Sequence, residues 1–290
     1  MSEEVELKLL VSPTNDIPMQ ELPPLKAVER LTFPLINRYF DTPDHQLTNA
    51  GISLRLRYQH GEWLQTLKAK GAPQGGLHQR QEWEMPVAGE QLELAQFPAG
   101  VLPEGVAQSD LMVMFETNFN RRQWQLYREN AHVELVLDTG AAVADGREST
   151  ICEIELELKS GEPVALFELA AELAEHIPLV PSDISKAERG FSLLRDAAQW
   201  PGVPDQEATT GEWLSAVCRQ LEALPESSVD LARCLQGLAQ RSDGHVGVVQ
   251  SVTAGLAADT GHWSQLPEVR ALGAWLVAES RLAWERSGQA

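Results

Sequence analysis

The chain has 290 residues, enough for two domains, with a hydrophobic fraction of 43% and a formal net charge of −19 at pH 7. A charge this negative argues against non-specific binding to nucleic acid or to an anionic lipid surface. Three widely spaced cysteines, Cys152, Cys218 and Cys234, argue against a disulfide framework and favour a reducing compartment.

The N-terminal segment differs from a targeting signal. Glu3 and Glu4 stand where a signal peptide would carry basic residues followed by an apolar run. No apolar stretch approaches the length of a membrane span. We therefore expect a soluble cytoplasmic protein with neither a membrane nor a nucleic-acid partner.

Residues 1–200 have the pattern of strands, and residues 207–290 have the pattern of helices. The predicted strands are 3–10, 34–41, 51–59, 62–70, 78–87, 113–121, 123–129, 131–138 and 150–159. The predicted helices of the first part are 24–31, 163–176 and 185–199. Many antiparallel strands with few helices indicate a barrel or a closed sheet.

Residues 199–205 contain two prolines and a glycine, and they predict a linker between the two parts. Beyond it, helical spacing recurs over 211–224, 228–241 and 266–286. Residues 201–290 contain no lysine, which disfavours polyphosphate binding by this part alone. Amphipathic helices of this kind most often serve packing, so we expect an appendage that packs on the first part or mediates self-association.

The predicted strands carry an apolar face and a charged face, because alternate side chains of a strand point to opposite sides. The charged faces comprise Glu4, Glu6 and Lys8; Arg55 and Arg57; Lys68; His78, Arg80, Glu82 and Glu84; Glu134 and Asp138; and Glu153, Glu155, Glu157 and Lys159. We expect Glu157 and Lys159 to be simple solvated groups beyond the end of this set.

Two interpretations of these faces remain open. A sheet with one packed and one solvated face shows the same alternation. Alternatively, the charged faces line the inside of a closed barrel, where arginines and lysines hold a chain of phosphates. Glutamates spaced two apart on a strand then share Mg²⁺ or Mn²⁺, which take oxygen ligands and bridge to phosphates.

The order of the motifs resembles that of the CYTH domains, also called triphosphate tunnel metalloenzymes. Glu4-Val5-Glu6-Leu7-Lys8 has the ExExK form that opens those domains. The motifs that follow in order are 39–43, Leu54-Arg55-Leu56-Arg57, Thr66-Leu67-Lys68, Glu82, Arg121, Leu137-Asp138, Glu153-Ile154-Glu155 and Ser185-Lys186-Ala187. Residues 75–80 and 151–153 are similar to bacterial inorganic triphosphatases that join a CYTH domain to a C-terminal helical CHAD domain.

The resemblance implies an α+β fold: an eight-stranded antiparallel tunnel over 1–200 with flanking helices, followed by a small all-α appendage, a reduced CHAD-like unit, over 207–290. It also implies metal-dependent hydrolysis of inorganic triphosphate to diphosphate and phosphate, with Mg²⁺ or Mn²⁺ as the cofactor. Thiamine triphosphatase, adenylate cyclase and a non-catalytic polyphosphate- or nucleotide-binding module are the alternatives.

Site residues follow from the resemblance position by position. The implied metal ligands are Glu4, Glu6, Glu153, Glu155 and Asp138. The implied substrate-binding cations are Lys8, Arg55, Arg57, Lys68, Arg80, Arg121 and Lys186. Of all these, the implied catalytic set is Glu4, Glu6, Lys8, Lys68, Arg55 and Arg57, with Glu82 and Glu134 in support. The sequence predicts no oligomeric state.

Overall fold

The structure is a computed structural model. It describes residues 2–13, 17–69, 71, 73–195, 202–223, 228–242, 245–257 and 262–288. Parts of the predicted linker (199–201) and the end of the fourth predicted strand (residue 70) lie outside these ranges.

The described part of the chain contains nine strands, eight of which close into a barrel. Their bounds are β1 Ser2–Val11, β2 Arg30–Asp41, β3 Ser53–Gln59, β4 Glu62–Lys68, β5 Leu77–Val87, β6 Met112–Arg128, β7 Ala131–Ala144, β8 Arg147–Ser160 and β9 Leu179–Pro181. The order is β5-β4-β3-β2-β6-β7-β8-β1, and pairing of β1 with β5 completes the ring. This confirms the predicted eight-stranded antiparallel barrel and the α+β class.

Strand β1 holds the barrel closed because it pairs along both edges. Its first half pairs with β5, with Glu4 opposite Arg80, and its second half pairs with β8, with Lys8 opposite Glu155. Where β5 leaves the edge of β1, the short strand β9 takes its place. At this junction Gly76 has φ +85°, and an added Cβ would lie 2.7 Å from the Lys8 carbonyl oxygen. A side chain is therefore excluded at Gly76.

The helices lie between and after the strands. Their bounds are α1 Gln46–Asn49, α2 Val164–Ala174, α3 Lys186–Ser192, α4 Thr210–Glu222, α5 Ser228–Ala239, α6 Val246–Ala257 and α7 Val269–Arg286, with short 3₁₀ turns at Met19–Glu21, Leu94–Gln96, Gln108–Asp110 and Trp263–Gln265. Five of these helices lie within predicted segments, apart from one or two residues at the ends. They are α2 in 163–176, α3 in 185–199, α4 in 211–224, α5 in 228–241 and α7 in 266–286.

The predicted helix 24–31 is wrong. Residues 23–28 form turns and Arg30 already begins β2. The Gln20 side-chain amide donates to the carbonyl oxygens of Leu25 at 2.7 Å and Val28 at 3.0 Å. A segment this short does not hold a helix by itself, and these side-chain bonds satisfy its backbone in another conformation.

Two further predictions need correction. The predicted strands 113–121 and 123–129 are one continuous strand, β6, because no turn residue interrupts its alternation. Helix α6 was not predicted, since Gly247, Gly255 and its β-branched residues lower helix propensity. Val249, Val252 and Leu256 are nevertheless buried among the C-terminal helices, and this packing outweighs the propensity.

The hydrophobic core lies outside the barrel wall. Leu7 and Leu9 of β1 point outward into a cluster that includes Phe167 of α2 and Trp284 of α7. Because the apolar faces are covered from outside, the charged faces of the same strands point into the barrel.

The C-terminal helices pack on one another and on the barrel. Leu10 and Val180 join their cluster, which contains Leu235 and Trp275. Backbone approach is close at α7, where a Cβ on Gly273 would lie 1.9 Å from the Leu179 carbonyl oxygen. Among the residues described, no helix is long and apolar enough to cross a bilayer.

Candidate active site

A cavity of about 290 Å³ runs inside the barrel and is lined almost entirely by charged and polar side chains. Every barrel strand contributes to the lining, and α3 adds Lys186. The predicted site residues that line it are Glu4, Glu6, Lys8, Arg55, Arg57, Lys68, Arg80, Glu82, Arg121, Glu134, Glu155 and Lys186. Asp138 and Glu153 are fully buried next to this lining. The cavity therefore gathers residues from positions 4 to 186 into one polar space.

Three carboxylates form a compact group on neighbouring strands. Asp138 of β7 and Glu153 of β8 are register partners, and Glu155 lies two residues further along β8. One oxygen from each lies within 4.8 Å of the others. We call Asp138, Glu153 and Glu155 the carboxylate triad.

The ammonium group of Lys186 sits within the triad. Its Nζ lies 2.8 Å from Asp138 Oδ2 and 2.8 Å from Glu155 Oε1, and it also bonds Glu153. Burial opposes ionisation of Glu155, but the charges of Lys186 and other cations outweigh it and hold its pKa well below the usual range. Glu155 is therefore ionised, and its carboxylate attracts cations.

The triad fits a hard divalent cation. Oxygen ligands are the type that Mg²⁺ and Mn²⁺ prefer. Glu153 Oε2 is buried without a hydrogen-bond partner among the described residues, so it can still accept a bond from a cation or a donor. The Lys186 ammonium lies among these carboxylates, which shows that they stabilise positive charge at this position.

The other two predicted metal ligands lie apart from the triad. Glu4 binds Lys68 Nζ at 2.5 Å and Arg80 Nε at 2.7 Å, and Glu6 accepts from Arg80 Nη2 at 2.6 Å. Strand β1 lies between β8 and β5, and these two carboxylates turn to the cations of β4 and β5. Lys8 connects the two groups, since it bonds Glu155 and lies 3.4 Å from Glu6.

Among the described residues, Arg57 on β3 lacks compensation by a carboxylate hydrogen-bond partner. Arg57 donates only to amide oxygens among its hydrogen bonds within the described residues, at 2.5 Å to Asn37 and 3.1 Å to Gln59. Its pKa is lowered to about 9 by burial and by the charges of Arg55 and Arg121. Arg55 is better compensated: burial opposes its charge, but Glu84, 3.6 Å away, and other nearby carboxylates raise its pKa. Arg57 therefore favours an anion in the cavity, because a buried unpaired charge is costly.

The remaining predicted site residues form hydrogen bonds or ion pairs with side chains on nearby strands. Arg121 binds Asp138 through two hydrogen bonds, of 2.8 and 2.7 Å, and reaches Glu155 at 3.1 Å. Glu82 lies 3.5 Å from Lys68. Glu134 accepts from the side-chain amides of Gln123 and Gln125 and lines the cavity.

Sequence reasoning missed several lining residues. Tyr39 and Thr66 point into the cavity from β2 and β4. Their alternation with Phe40 and Gln65 was a signal, but uncharged side chains did not stand out. Glu157 and Lys159 were expected to be solvated groups beyond the tunnel. That expectation is wrong, since both line the cavity.

Comparison with known proteins identifies the family of this chain. The model of the CYTH domain matches residues 2–191. The chain belongs to the CYTH domain family. It is 35% identical over 195 residues to the inorganic triphosphatase of Haemophilus influenzae, in an alignment that covers 67% of this chain and 55% of that protein. The chain thus spans about half the length of this relative.

The CYTH fold is also seen in a solved structure from Hippeastrum. This protein, HpAC1, is a candidate adenylyl cyclase described as having a dominant triphosphatase activity. It superposes with a TM-score of 0.50 at 20% identity, covering 65% of this chain and 95% of that one. At this identity the likeness concerns the fold alone.

The carboxylates of the CYTH tunnel should make the protein sensitive to acid. Cations hold the pKa values of Glu4, Asp138 and Glu155 below their usual range against the opposing effect of burial. At acid pH the unfolded state therefore binds more protons than the folded state. The free energy of unfolding that these carboxylates contribute is fully present above their unfolded pKa values, and it is lost as the pH falls towards their folded pKa values. Glu157 and Glu222 have raised pKa values and act in the opposite direction.

We expect the carboxylates to leave the urea midpoint of unfolding nearly constant between pH 7 and about pH 5 and to lower it from there to about pH 3. Urea titrations at several pH values, with metal chelated, measure it. Equal midpoints at both ends of this range would contradict the description of the tunnel.

Proposed function

We propose that the protein is a metal-dependent triphosphatase that hydrolyses inorganic triphosphate to diphosphate and phosphate inside the tunnel. One observation carries the proposal: the same cavity holds Arg57, a buried arginine without a carboxylate partner for its hydrogen bonds among the described residues, and borders the carboxylate triad. The 35% identity to an inorganic triphosphatase over 195 residues supports the same reaction.

The basic wall is suited to hold the phosphate chain. Arg55 and Arg57 offer planar guanidinium groups, which bind phosphate oxygens through paired hydrogen bonds. The same cavity is lined by Lys68 of β4, Arg80 of β5, Lys8 of β1 and Arg121 of β6. Fixing a triphosphate along this wall would align its terminal phosphate for in-line attack, which is most of what phosphoryl transfer requires.

The triad would hold a divalent cation, and we propose Mg²⁺ or Mn²⁺. When bound, such an ion neutralises phosphate oxygens and lowers the pKa of a water molecule. With its carboxylate partners engaged in this way, Lys186 would be free to donate to a phosphate oxygen. Glu4 and Glu6 keep Lys68 and Arg80 in place, and we propose them as partners of these cations and as contributors to a second metal position.

A module that only binds polyphosphate or nucleotides is a different class of function. Such a module would gain nothing from three buried carboxylates, which repel its ligand. Thiamine triphosphate or a nucleotide would require contacts for an organic group at the tunnel mouth. Inorganic triphosphate needs contacts to phosphate groups alone, and we therefore propose it as the first candidate substrate.

We propose that residues 207–290 form a reduced CHAD-like unit that packs on the barrel. The absence of lysine from 201–290 supports packing over polyphosphate binding. We also propose a cytoplasmic location, which agrees with the free thiols of Cys152, Cys218 and Cys234.

A substrate panel with metal titrations tests the function. We expect inorganic triphosphate to be cleaved faster than ATP or thiamine triphosphate, and chelation of metal to stop cleavage. Phosphate release is measured with each substrate at increasing Mg²⁺ or Mn²⁺. If triphosphate binds but releases no phosphate at any metal concentration over a broad pH range, the protein is a binding module.

A further inference from the structure

The end of α4 meets the helix that carries Lys186. Helix α3 begins at its N-cap Ser185, whose Oγ accepts from the Glu188 backbone N–H, and Lys186 is its first residue. Arg189 follows one turn later, on the side of α3 that faces α4. Its partner there is Glu222, the last residue of α4.

Arg189 and Glu222 form a buried ion pair. Arg189 Nη2 lies 2.6 Å from Glu222 Oε2, and the side chains are 15% and 3% exposed. Burial raises the pKa of Glu222, and Arg189 offsets part of that effect. Arg189 Nε is buried without a hydrogen-bond partner among the described residues, so this guanidinium already depends on Glu222 for its compensation.

Glu222 also reaches the barrel. Its Oε1 accepts from Ser182 Oγ at 2.5 Å. The Ser182 backbone N–H donates to the Lys8 carbonyl oxygen at 3.0 Å, beside the tunnel wall. One carboxylate of the C-terminal helices therefore ties α3 to the segment next to β1.

A second ion pair connects the same two helices but differs in burial. Arg219 Nη1 lies 2.5 Å from Glu188 Oε1, with side chains 24% and 45% exposed. Exposed pairs contribute little, since water and salt screen them. Glu188 thus serves as a matched control for Glu222.

We propose that Glu222 is a positioning residue: through Arg189 it fixes α3 and so places the Lys186 ammonium in the tunnel. The C-terminal helices then contribute to the site without touching substrate. The activity part of this inference rests on the proposed triphosphatase function. Residues that orient site groups through a hydrogen bond often change activity about 10- to 100-fold when replaced.

The test is a double-mutant cycle between Glu222→Gln and Lys186→Ala. We expect Glu222→Gln to lower kcat/KM for triphosphate about tenfold or more, and to weaken triphosphate affinity measured by calorimetry. Glu188→Gln should leave both values unchanged. In the Lys186→Ala background, Glu222→Gln should have little further effect, because the group it positions is gone. An undiminished loss in that background would show that Glu222 acts on stability alone and would overturn the proposal.

A measurement that does not depend on turnover separates failure of the positioning role from failure of the proposed triphosphatase function. The rate at which an amine-acetylating reagent modifies Lys186, followed by mass spectrometry, reports how firmly the ammonium is held in the triad. We expect it to rise in Glu222→Gln and not in Glu188→Gln. If it does not rise, the positioning role fails even if the enzyme is a triphosphatase; if it rises in a protein without turnover, only the proposed function fails. Should Glu222→Gln not fold, Arg189→Lys tests the same link from α3, with the same expected changes.

Discussion

Replacing Glu155 with glutamine should reduce metal-dependent triphosphate hydrolysis by about 100- to 1,000-fold, as expected when a metal loses much of its charge stabilisation of the transition state. Glu155 is the member of the triad that lines the cavity, while Asp138 and Glu153 are fully buried. The substitution removes the negative charge of a carboxylate that we propose as a metal ligand, but it keeps the shape of the side chain. Turnover and Mn²⁺ affinity, measured by phosphate release and calorimetry, should fall together.

The control for this variant is Glu172→Gln. Glu172 pairs with Arg128 at 2.6 Å on the outside of the barrel, where both side chains are partly exposed. We expect nearly unchanged turnover and metal affinity there. Wild-type turnover in Glu155→Gln would refute the assignment of the triad to the metal, whereas loss of turnover with unchanged Mn²⁺ affinity would restrict Glu155 to a role in substrate binding.

Replacing Arg57 with glutamine should weaken triphosphate binding about 10- to 100-fold, the effect of losing a hydrogen-bonded charge worth about 1.5–3 kcal/mol. The free energy of unfolding of the ligand-free protein should stay the same or rise. Arg57 is buried beside Arg55 and Arg121, with only amide oxygens as hydrogen-bond partners in the described chain. Its charge thus costs stability that phosphate recovers on binding. Calorimetry and urea unfolding measure the two effects.

Arg80→Gln is the contrasting variant. Arg80 binds Glu4 and Glu6, so its removal leaves buried carboxylates with less compensation. We expect the unfolding free energy to fall by on the order of 3 kcal/mol. If Arg57→Gln destabilises the protein as much as Arg80→Gln does, Arg57 is compensated in the free protein and the anion-binding wall is assigned to the wrong residues.

Position along the chain was enough to predict which face each residue occupies. Glu4, Glu6 and Lys8 share a face because the side-chain period of a strand is two, and the structure has all three lining the cavity. The order of the motifs was enough to identify the family and the closed barrel. Local sequence patterns gave the wrong secondary structure at α6 and at residues 24–31. Packing overrides helix propensity at α6, and side-chain hydrogen bonds override it at 24–31.

The sequence by itself therefore determined which residues share a charged strand face, which share an apolar one and, through the order of the motifs, the family. Only the tertiary structure decided which of them are partners. Asp138 joins Glu153 because β7 and β8 are neighbours in register, whereas Glu4 turns to Arg80 because β1 closes the ring against β5. The link from Glu222 to Arg189 depends on how α4 docks. Periodicity reports the face of one element, but the pairing of distant elements is set by the packing of the whole chain.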